Sequence, residues 1–189
     1  MTKAVIFDCF GVLIGEMNGK IIREYPNLKD AIRELDKVTD IGQMDYRERT
    51  ARTEKLLDGE GLDGRKILKD IMEGAEVNFE LFDFIGELHK QYKTGILSNT
   101  GGLFWQYFDR EEMAKYFDDV LLSYEVGIVK PDLRIFELAA ERLGVLPEEC
   151  VFVDDNEGNV QAAEGCGMKG VLYEWGMDLR AHISRLCTI

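Results

Sequence analysis

The amino-acid sequence predicts an α/β fold, in which a parallel β-sheet packs against helices and a helical segment is inserted after the first strand. Short apolar, mostly β-branched runs have the size and continuity of strands buried on both faces of a sheet. Segments with helical periodicity separate these runs. One long stretch contains several helical patterns and no convincing strand. The five predicted strands span residues 4–7, 94–97, 120–122, 151–153 and 170–173.

The composition agrees with a single ordered domain, or with one core that carries a modest insertion. The chain has 189 residues, of which 46% are hydrophobic and 10% aromatic, as is typical of a globular protein. Its 23 basic and 36 acidic side chains give a net charge of −13. Such a surface repels nucleic acid and anionic membranes, so neither is expected as a partner, and no protein partner is predicted.

The first predicted strand is too short to be a secretory leader, because Asp8 ends its apolar run after residue 7, whereas a leader needs roughly 7–15 apolar residues. No run approaches the roughly 18 apolar residues of a membrane span. The four cysteines include no CxxC pair and have no nearby histidine at ligand spacing, which argues against a zinc site and against a disulfide framework. We therefore expect a cytoplasmic protein.

The stretch from about Gly15 to Asn78 interrupts the alternation of strands and helices. Three helical patterns follow one another there, over residues 28–38, 46–57 and 65–75. A helical insertion directly after the first strand is typical of a lid or cap. The expected organisation is an α/β core at residues 1–14 and 80–189 and a helical cap at residues 15–79.

The later part of the chain returns to a regular βαβ pattern. After the third predicted strand, Lys130 and Pro131 precede a helix whose apolar residues, such as Ile135 and Leu138, keep the i, i+3, i+4 spacing. Gly144 is expected to end this helix. The pattern indicates a Rossmann-like parallel sheet core.

Polar side chains follow three of the predicted strands directly. Asp8 follows the first strand, Ser98 the second, and the pair Asp154 and Asp155 follows the fourth. Lys130 lies a few residues beyond the third strand. In an open α/β sheet, ligands bind at the carboxyl ends of the strands. We therefore expect these three carboxylates, the hydroxyl and the ammonium group to form one site.

The chemistry of this group of side chains indicates phosphoryl transfer. Carboxylates held close together repel one another and stay ionised only if a cation neutralises them. Mg²⁺ is usually held by one or two carboxylates together with phosphate oxygens of the substrate. Ser98 and Lys130 would hold the remaining phosphoryl oxygens, and one aspartate could attack phosphorus to give an aspartyl-phosphate.

Four segments resemble the ordered motifs of the haloacid dehalogenase-like hydrolase superfamily, and the helical insertion resembles its caps. They are FDCFGVL at 7–13, LSNT at 97–100, KP at 130–131 and VFVDDN at 151–156. The resemblance covers roughly residues 1–14 and 80–175. It implies that Asp8 is the nucleophile and that Ser98, Asn99 and Lys130 bind phosphate. It further implies that Mg²⁺ is bound by Asp8, Asp154, Asp155 and the backbone carbonyl of Phe10.

Phe10 departs from the pattern of the phosphatases in this superfamily. They usually carry a second aspartate at this position, two residues after the nucleophile, as a general acid and base. Losing such a group costs on the order of 10²–10⁴ in rate. A substrate with a good leaving group, or an acid supplied by the cap, would remove the need for it.

Two other interpretations stay open. Dehalogenases of the superfamily also lack this aspartate and carry an aromatic residue there, because a departing halide needs no proton. They do not, however, need the paired acidic motif at Asp154 and Asp155. Alternatively, catalysis is weak or lost and the fold serves as a binding module. The reading that the sequence favours is a Mg²⁺-dependent phosphomonoesterase acting on a small phosphorylated metabolite.

Overall fold

The computed structural model describes residues 1–16 and 18–187 of the chain. Residues 17, 188 and 189, which belong to the predicted cap and core ranges, lie outside the described residues. The fold is α/β and contains a sheet of five parallel strands in the order β3-β2-β1-β4-β5. The strands are β1 (Ala4–Phe7), β2 (Lys93–Ser98), β3 (Asp119–Leu122), β4 (Cys150–Asp154) and β5 (Lys169–Leu172). The predicted fold class is confirmed, and each predicted strand end agrees within one residue.

Strand β1 lies at the centre of the sheet, and all four of its residues are buried. Val5 and Phe7 point to one face of the sheet, and Ala4 and Ile6 point to the other. Because both faces are covered, β1 contains only apolar side chains, which explains the continuous run in the sequence. The chain builds β2 and β3 on one side of β1 and then returns to place β4 on the other side. A reversal of this kind opens a crevice at the carboxyl ends of β1 and its neighbours.

Helices cover both faces of the sheet and supply the rest of its two hydrophobic layers. The predicted helix after Pro131 ends just before Gly144 as expected, and this glycine adopts a left-handed conformation with φ 72°. The helices of the core are α5 (Phe79–Leu88), α6 (Phe104–Tyr107), α7 (Arg110–Met113), α8 (Ser123–Val126), α9 (Leu133–Leu143), α10 (Glu157–Gly165) and α11 (Leu179–Leu186). None of the helices in the described part of the chain is long and apolar enough to cross a membrane.

The segment between β1 and α5 is helical, as the sequence predicts. It contains α1 (Asn18–Glu24), α2 (Lys29–Asp40), α3 (Tyr46–Gly59) and α4 (Gly64–Glu73). Helices α2 to α4 correspond to the three predicted patterns, whereas α1, with seven residues, is too short to give a clear period. The segment has a hydrophobic cluster of its own, which includes Ile32, Leu57 and Leu68. The helices therefore pack on one another as well as on the sheet layer.

The two ends of this helical segment lie side by side. Ile14 and Val77 form an isolated antiparallel bridge. Beside it, the backbone N–H of Gly15 donates to the carbonyl of Glu76 at 2.8 Å, and that of Asn78 donates to Leu13 at 2.9 Å. The chain therefore leaves the sheet layer and returns to it through one short paired connection, close to the carboxyl end of β1.

Candidate active site

The structure brings the predicted polar side chains together at the carboxyl edge of the sheet. Asp8 is the first residue after the central strand β1, and Ser98 is the last residue of β2. Asp154 ends β4 on the opposite side of β1, and Asp155 follows it. Lys130 reaches the same place from the loop between α8 and α9. The parallel arrangement explains the clustering, because the same end of each strand faces the same edge.

Lys130 lies at the centre of the group and is almost fully buried. Its Nζ is 2.8 Å from Oδ1 of Asp8 and 2.6 Å from Oδ2 of Asp154. It also donates to the carbonyl oxygen of Leu97 at 3.0 Å. Burial by itself would lower the pKa of this ammonium group, but the two carboxylates together outweigh it and raise the pKa to about 12. Lys130 is therefore charged and ties the central strand to β4.

Asp154 is held from several directions. Besides Lys130, it accepts hydrogen bonds at Oδ1 from the backbone N–H of Asn156 at 2.8 Å and at both oxygens from Nδ2 of Asn159 at 3.1 Å. Asn159 is not among the site residues predicted from the sequence. Its position in the first turn of α10, the helix that follows the acidic pair, is the signal that could have found it. The side chain of Asp154 is fully buried, so its carboxylate needs such partners, and they also fix its orientation.

Asn99 contacts the backbone of Lys130 through its side chain. The Asn99 amide group donates to the Lys130 carbonyl at 2.9 Å and accepts from the Lys130 N–H at 2.8 Å. Both ends of the amide are therefore engaged in positioning the lysine. Phosphate binding by Asn99 stays a prediction, and the structure shows that its side chain positions Lys130.

Ser98 differs from its neighbours because its hydroxyl is unpartnered. The residue is fully buried, and Oγ has no hydrogen-bond partner within residues 1–16 and 18–187. A buried hydroxyl without a hydrogen-bond partner lowers the stability of the folded state, and in native proteins such a group usually binds a ligand, a water or an ion. The position of Ser98 beside the acidic cluster fits an oxygen-rich ligand at the edge of the sheet.

Asp8, Asp154 and Asp155 form an acidic cluster in which one carboxylate oxygen of each residue lies within 4.8 Å of the others. Burial is the main reason that the pKa of Asp8 is raised to about 7 and that of Asp155 to about 6, and the charge of Asp154 adds to both. Lys130 opposes both shifts but is a single positive charge. This charge balance and the oxygen donors fit a hard divalent cation.

Gly11 allows Asp155 to approach the loop after β1. It has a φ of +99°, and a Cβ atom at this position would lie 2.2 Å from Oδ2 of Asp155. A side chain would therefore occupy the space that the carboxylate fills. The absence of a Cβ places this carboxylate next to the backbone of the Phe10 loop, where the sequence analysis expects a metal ligand.

A cavity of about 210 Å³ opens between this edge of the sheet and the helical segment. Phe10, Asn99 and Asp155 line it from the sheet side, and the ring of Phe10 packs against both the core and the cluster of the helical segment. The helices contribute several charged and polar side chains, namely Asp36, Thr39, Asp40, Tyr46 and Arg49. None of these residues is predicted from the sequence, because no motif distinguishes them from other polar side chains on helices.

The fold and the site together define an α/β enzyme with a carboxylate-rich centre at the switch point of a parallel sheet. The sequence profile of haloacid dehalogenase-like hydrolases matches residues 2–167, so the chain belongs to this hydrolase family. The resemblance that the four motifs predicted is confirmed, and the match also includes the helical segment. The protein is therefore an enzyme of the haloacid dehalogenase-like hydrolase family.

Individual relatives of known name match nearly the whole chain. The D-ribitol-5-phosphate phosphatase of Bacteroides thetaiotaomicron is 27% identical over 202 residues, which cover 97% of this chain and 98% of that protein. The crystal structure of a haloacid dehalogenase (HAD) family enzyme from the same species, in complex with magnesium and inorganic phosphate, superposes on this chain with a TM-score of 0.76. It is 22% identical, and the match covers 97% of this chain and 99% of that chain.

A dehalogenase shares the fold at a greater distance. The L-2-haloacid dehalogenase of Xanthobacter autotrophicus superposes with a TM-score of 0.61 and is 23% identical. The match covers 89% of this chain and 76% of that chain. The superpositions demonstrate a common fold, whereas identities this low leave the reaction to be argued from the site.

Proposed function

We propose that this hydrolase is a Mg²⁺-dependent phosphomonoesterase that acts on a small phosphorylated metabolite through an aspartyl-phosphate on Asp8. The observation that carries the proposal is the unpartnered, fully buried hydroxyl of Ser98 beside the acidic cluster. A phosphoryl group would accept the hydrogen bond that Ser98 lacks, and a divalent ion would offset the charge that Lys130 alone leaves unbalanced.

In the proposed reaction, a carboxylate oxygen of Asp8 attacks phosphorus and the bond from phosphorus to the leaving oxygen breaks. Water then attacks the phosphorus of the aspartyl-phosphate, which releases inorganic phosphate and restores the Asp8 carboxylate. Lys130, 2.8 Å from Asp8, orients the nucleophile and offsets negative charge that develops beside it. Ser98 holds a phosphoryl oxygen, and Asn99 keeps Lys130 in place from the backbone.

The residues that would hold Mg²⁺ are Asp8, Asp154, Asp155 and, through its backbone carbonyl, Phe10. All four offer oxygen atoms, which are the ligands that Mg²⁺ prefers. When bound, the ion neutralises negative charge on the phosphoryl group. Asp154 already accepts hydrogen bonds from Lys130, Asn156 and Asn159, so its charge is expected to contribute more than a direct bond.

The helical segment at residues 15–79 is proposed to act as a cap over the core at residues 1–14 and 80–189. The cavity of about 210 Å³ that it helps to enclose favours a small leaving group. Carboxylates and Arg49 in its wall suit hydroxyl groups, which both donate and accept hydrogen bonds. The Bacteroides relative is named for a phosphorylated polyol, which supports a phosphorylated carbohydrate or polyol as the substrate class.

A 2-haloacid dehalogenase is the second candidate, because Phe10 occupies the position of the usual acid and a halide leaves without a proton. The acidic pair at Asp154 and Asp155 favours the phosphatase, since displacement of halide by a carboxylate needs no metal ion.

A cytoplasmic location is also proposed. All four cysteines are free thiols, and three of them are buried. Free thiols of this kind suit a reducing compartment. The net charge of −13 continues to argue against nucleic acid and anionic membranes as partners.

The experiment is hydrolysis of p-nitrophenyl phosphate and of a panel of phosphorylated sugars and polyols, with and without Mg²⁺. We expect Mg²⁺-dependent phosphate release that Asp8→Asn abolishes. The matched control is Asp83→Asn, which changes an exposed aspartate on α5 and should leave activity intact. Phosphatase activity that survives in Asp8→Asn would contradict the role of Asp8 as the nucleophile. Chloride release from 2-chloropropionate without phosphate release would instead support the dehalogenase.

A further inference from the structure

The cavity between the sheet edge and the helical segment is where the leaving group of a bound phosphomonoester would lie, because Phe10 and Asp155 form part of its wall. An alkoxide that departs from phosphorus needs a proton, and a group that supplies it typically contributes 10²–10⁴-fold to the rate. The ring of Phe10 has no proton to give. For a substrate with a basic leaving group, another side chain that lines this cavity is expected to supply the proton.

The cavity wall contains four acidic side chains, of which Asp155 belongs to the acidic cluster and two others have cationic partners. Asp36 accepts two hydrogen bonds from Arg49, at 3.0 and 2.7 Å, and Glu16 is paired with Arg23. Asp40 differs from both. Its carboxyl group makes no hydrogen bond and no ion pair with any other residue in the described ranges 1–16 and 18–187. It is therefore available to a ligand in the cavity.

The surroundings of Asp40 favour its protonated form. It is the last residue of α2, where the negative end of the helix dipole disfavours another negative charge. Burial is the main cause that raises the pKa of Asp40 to about 7, and the charges of Asp36 and, more weakly, Asp8 act in the same direction. Arg49 and Lys130 oppose the shift. A group that titrates near neutral pH can both give and take a proton.

We propose that Asp40 is the general acid and base of this enzyme, in the role that the residue at position 10 cannot fill. The inference rests on the proposed phosphatase function. As the bond between phosphorus and the leaving oxygen breaks, the electron pair stays on that oxygen, which takes the proton of the Asp40 carboxyl group. The Asp40 carboxylate then takes a proton from the water that attacks the aspartyl-phosphate. Phosphate leaves, and both Asp8 and Asp40 return to their starting forms.

The test compares aryl phosphates whose leaving groups differ in basicity, from p-nitrophenyl phosphate to phenyl phosphate. The p-nitrophenolate ion departs without a proton, whereas phenolate is more basic and benefits from one. In Asp40→Asn we expect kcat/KM for phenyl phosphate to fall by about 10²–10⁴ and that for p-nitrophenyl phosphate to fall far less. Loss of the base in the second step should also give a burst of one p-nitrophenolate per active site.

The matched control is Asp30→Asn, the same substitution in the exposed first turn of α2, which should leave both substrates unaffected. Thermal unfolding checks that Asp40→Asn folds, and Asp40→Ser repeats the measurement if it does not. An equal loss for both substrates, or no loss for either, would overturn the role of Asp40. A wild-type enzyme that hydrolyses no phosphate ester would overturn the proposed phosphatase function instead.

Discussion

Replacing Ser98 with alanine is expected to stabilise the ligand-free protein and to weaken its hold on phosphate. The Ser98 hydroxyl is fully buried and has no partner among the described residues. An unsatisfied buried hydroxyl costs about 1–3 kcal/mol, and removal of one oxygen atom leaves only a small void that offsets part of this gain. We expect a net gain of about 1 kcal/mol, or roughly 2–4 °C in Tm for a chain of this size.

Ser123 provides a matched control with the opposite expectation. It is also fully buried, but its Oγ accepts a hydrogen bond from the backbone N–H of Thr100 at 2.9 Å. Ser123→Ala leaves that N–H unpaired in the interior and should cost about 1–3 kcal/mol. Two identical substitutions at buried serines are therefore predicted to move stability in opposite directions.

Urea and thermal unfolding of both variants, each with and without Mg²⁺ and inorganic phosphate, measure these effects. Phosphate should raise the Tm of the wild type more than that of Ser98→Ala, because a ligand stabilises the state that binds it. If Ser98→Ala is destabilised as much as Ser123→Ala, the Ser98 hydroxyl has a partner and the prediction is wrong. Equal stabilisation of wild type and Ser98→Ala by phosphate would refute the contact with the anion.

Three further predictions concern the same site. Lys130→Met strands the buried carboxylates of Asp8 and Asp154 and should lower the free energy of unfolding by about 3–5 kcal/mol, measured by urea unfolding, and should abolish hydrolysis. Gly11→Ala adds a Cβ against Asp155 at a positive φ. It should cost about 1–3 kcal/mol and raise the Mg²⁺ concentration needed for half-maximal activity; unchanged values would contradict the close approach. Mg²⁺ should raise the Tm of the wild type more than that of Asp155→Asn, which a thermal shift assay compares.

Much of the fold and of the central site could be predicted because both depend on which residues follow one another in the sequence. The buried strands are recognisable as apolar runs, and the residue after each run lies at the carboxyl edge of the sheet. Asp8, Ser98 and Asp154 therefore meet as expected, and Lys130 joins them. The roles of these residues in catalysis, phosphate binding and metal binding stay predictions for the experiments above.

Side-chain partners could not be predicted in the same way. No motif predicts that the amide of Asn99 pairs with the backbone of Lys130, 31 residues away. No motif predicts that Asn159 holds Asp154 either. Pairings of this kind depend on the path of loops and on rotamers, which no periodicity reports.

The strands, the parallel sheet and the helical insertion can be read from the amino-acid sequence, because a strand buried on both faces leaves an apolar run and a helix buried along one stripe leaves a helical period. Tertiary packing sets which face of the insertion meets the sheet. Asp40 and Arg49 lie on different helices of that segment and reach one cavity wall with Phe10 through packing between elements distant in sequence. Packing of this kind fixes where polar side chains meet, and it leaves no pattern in any single helix.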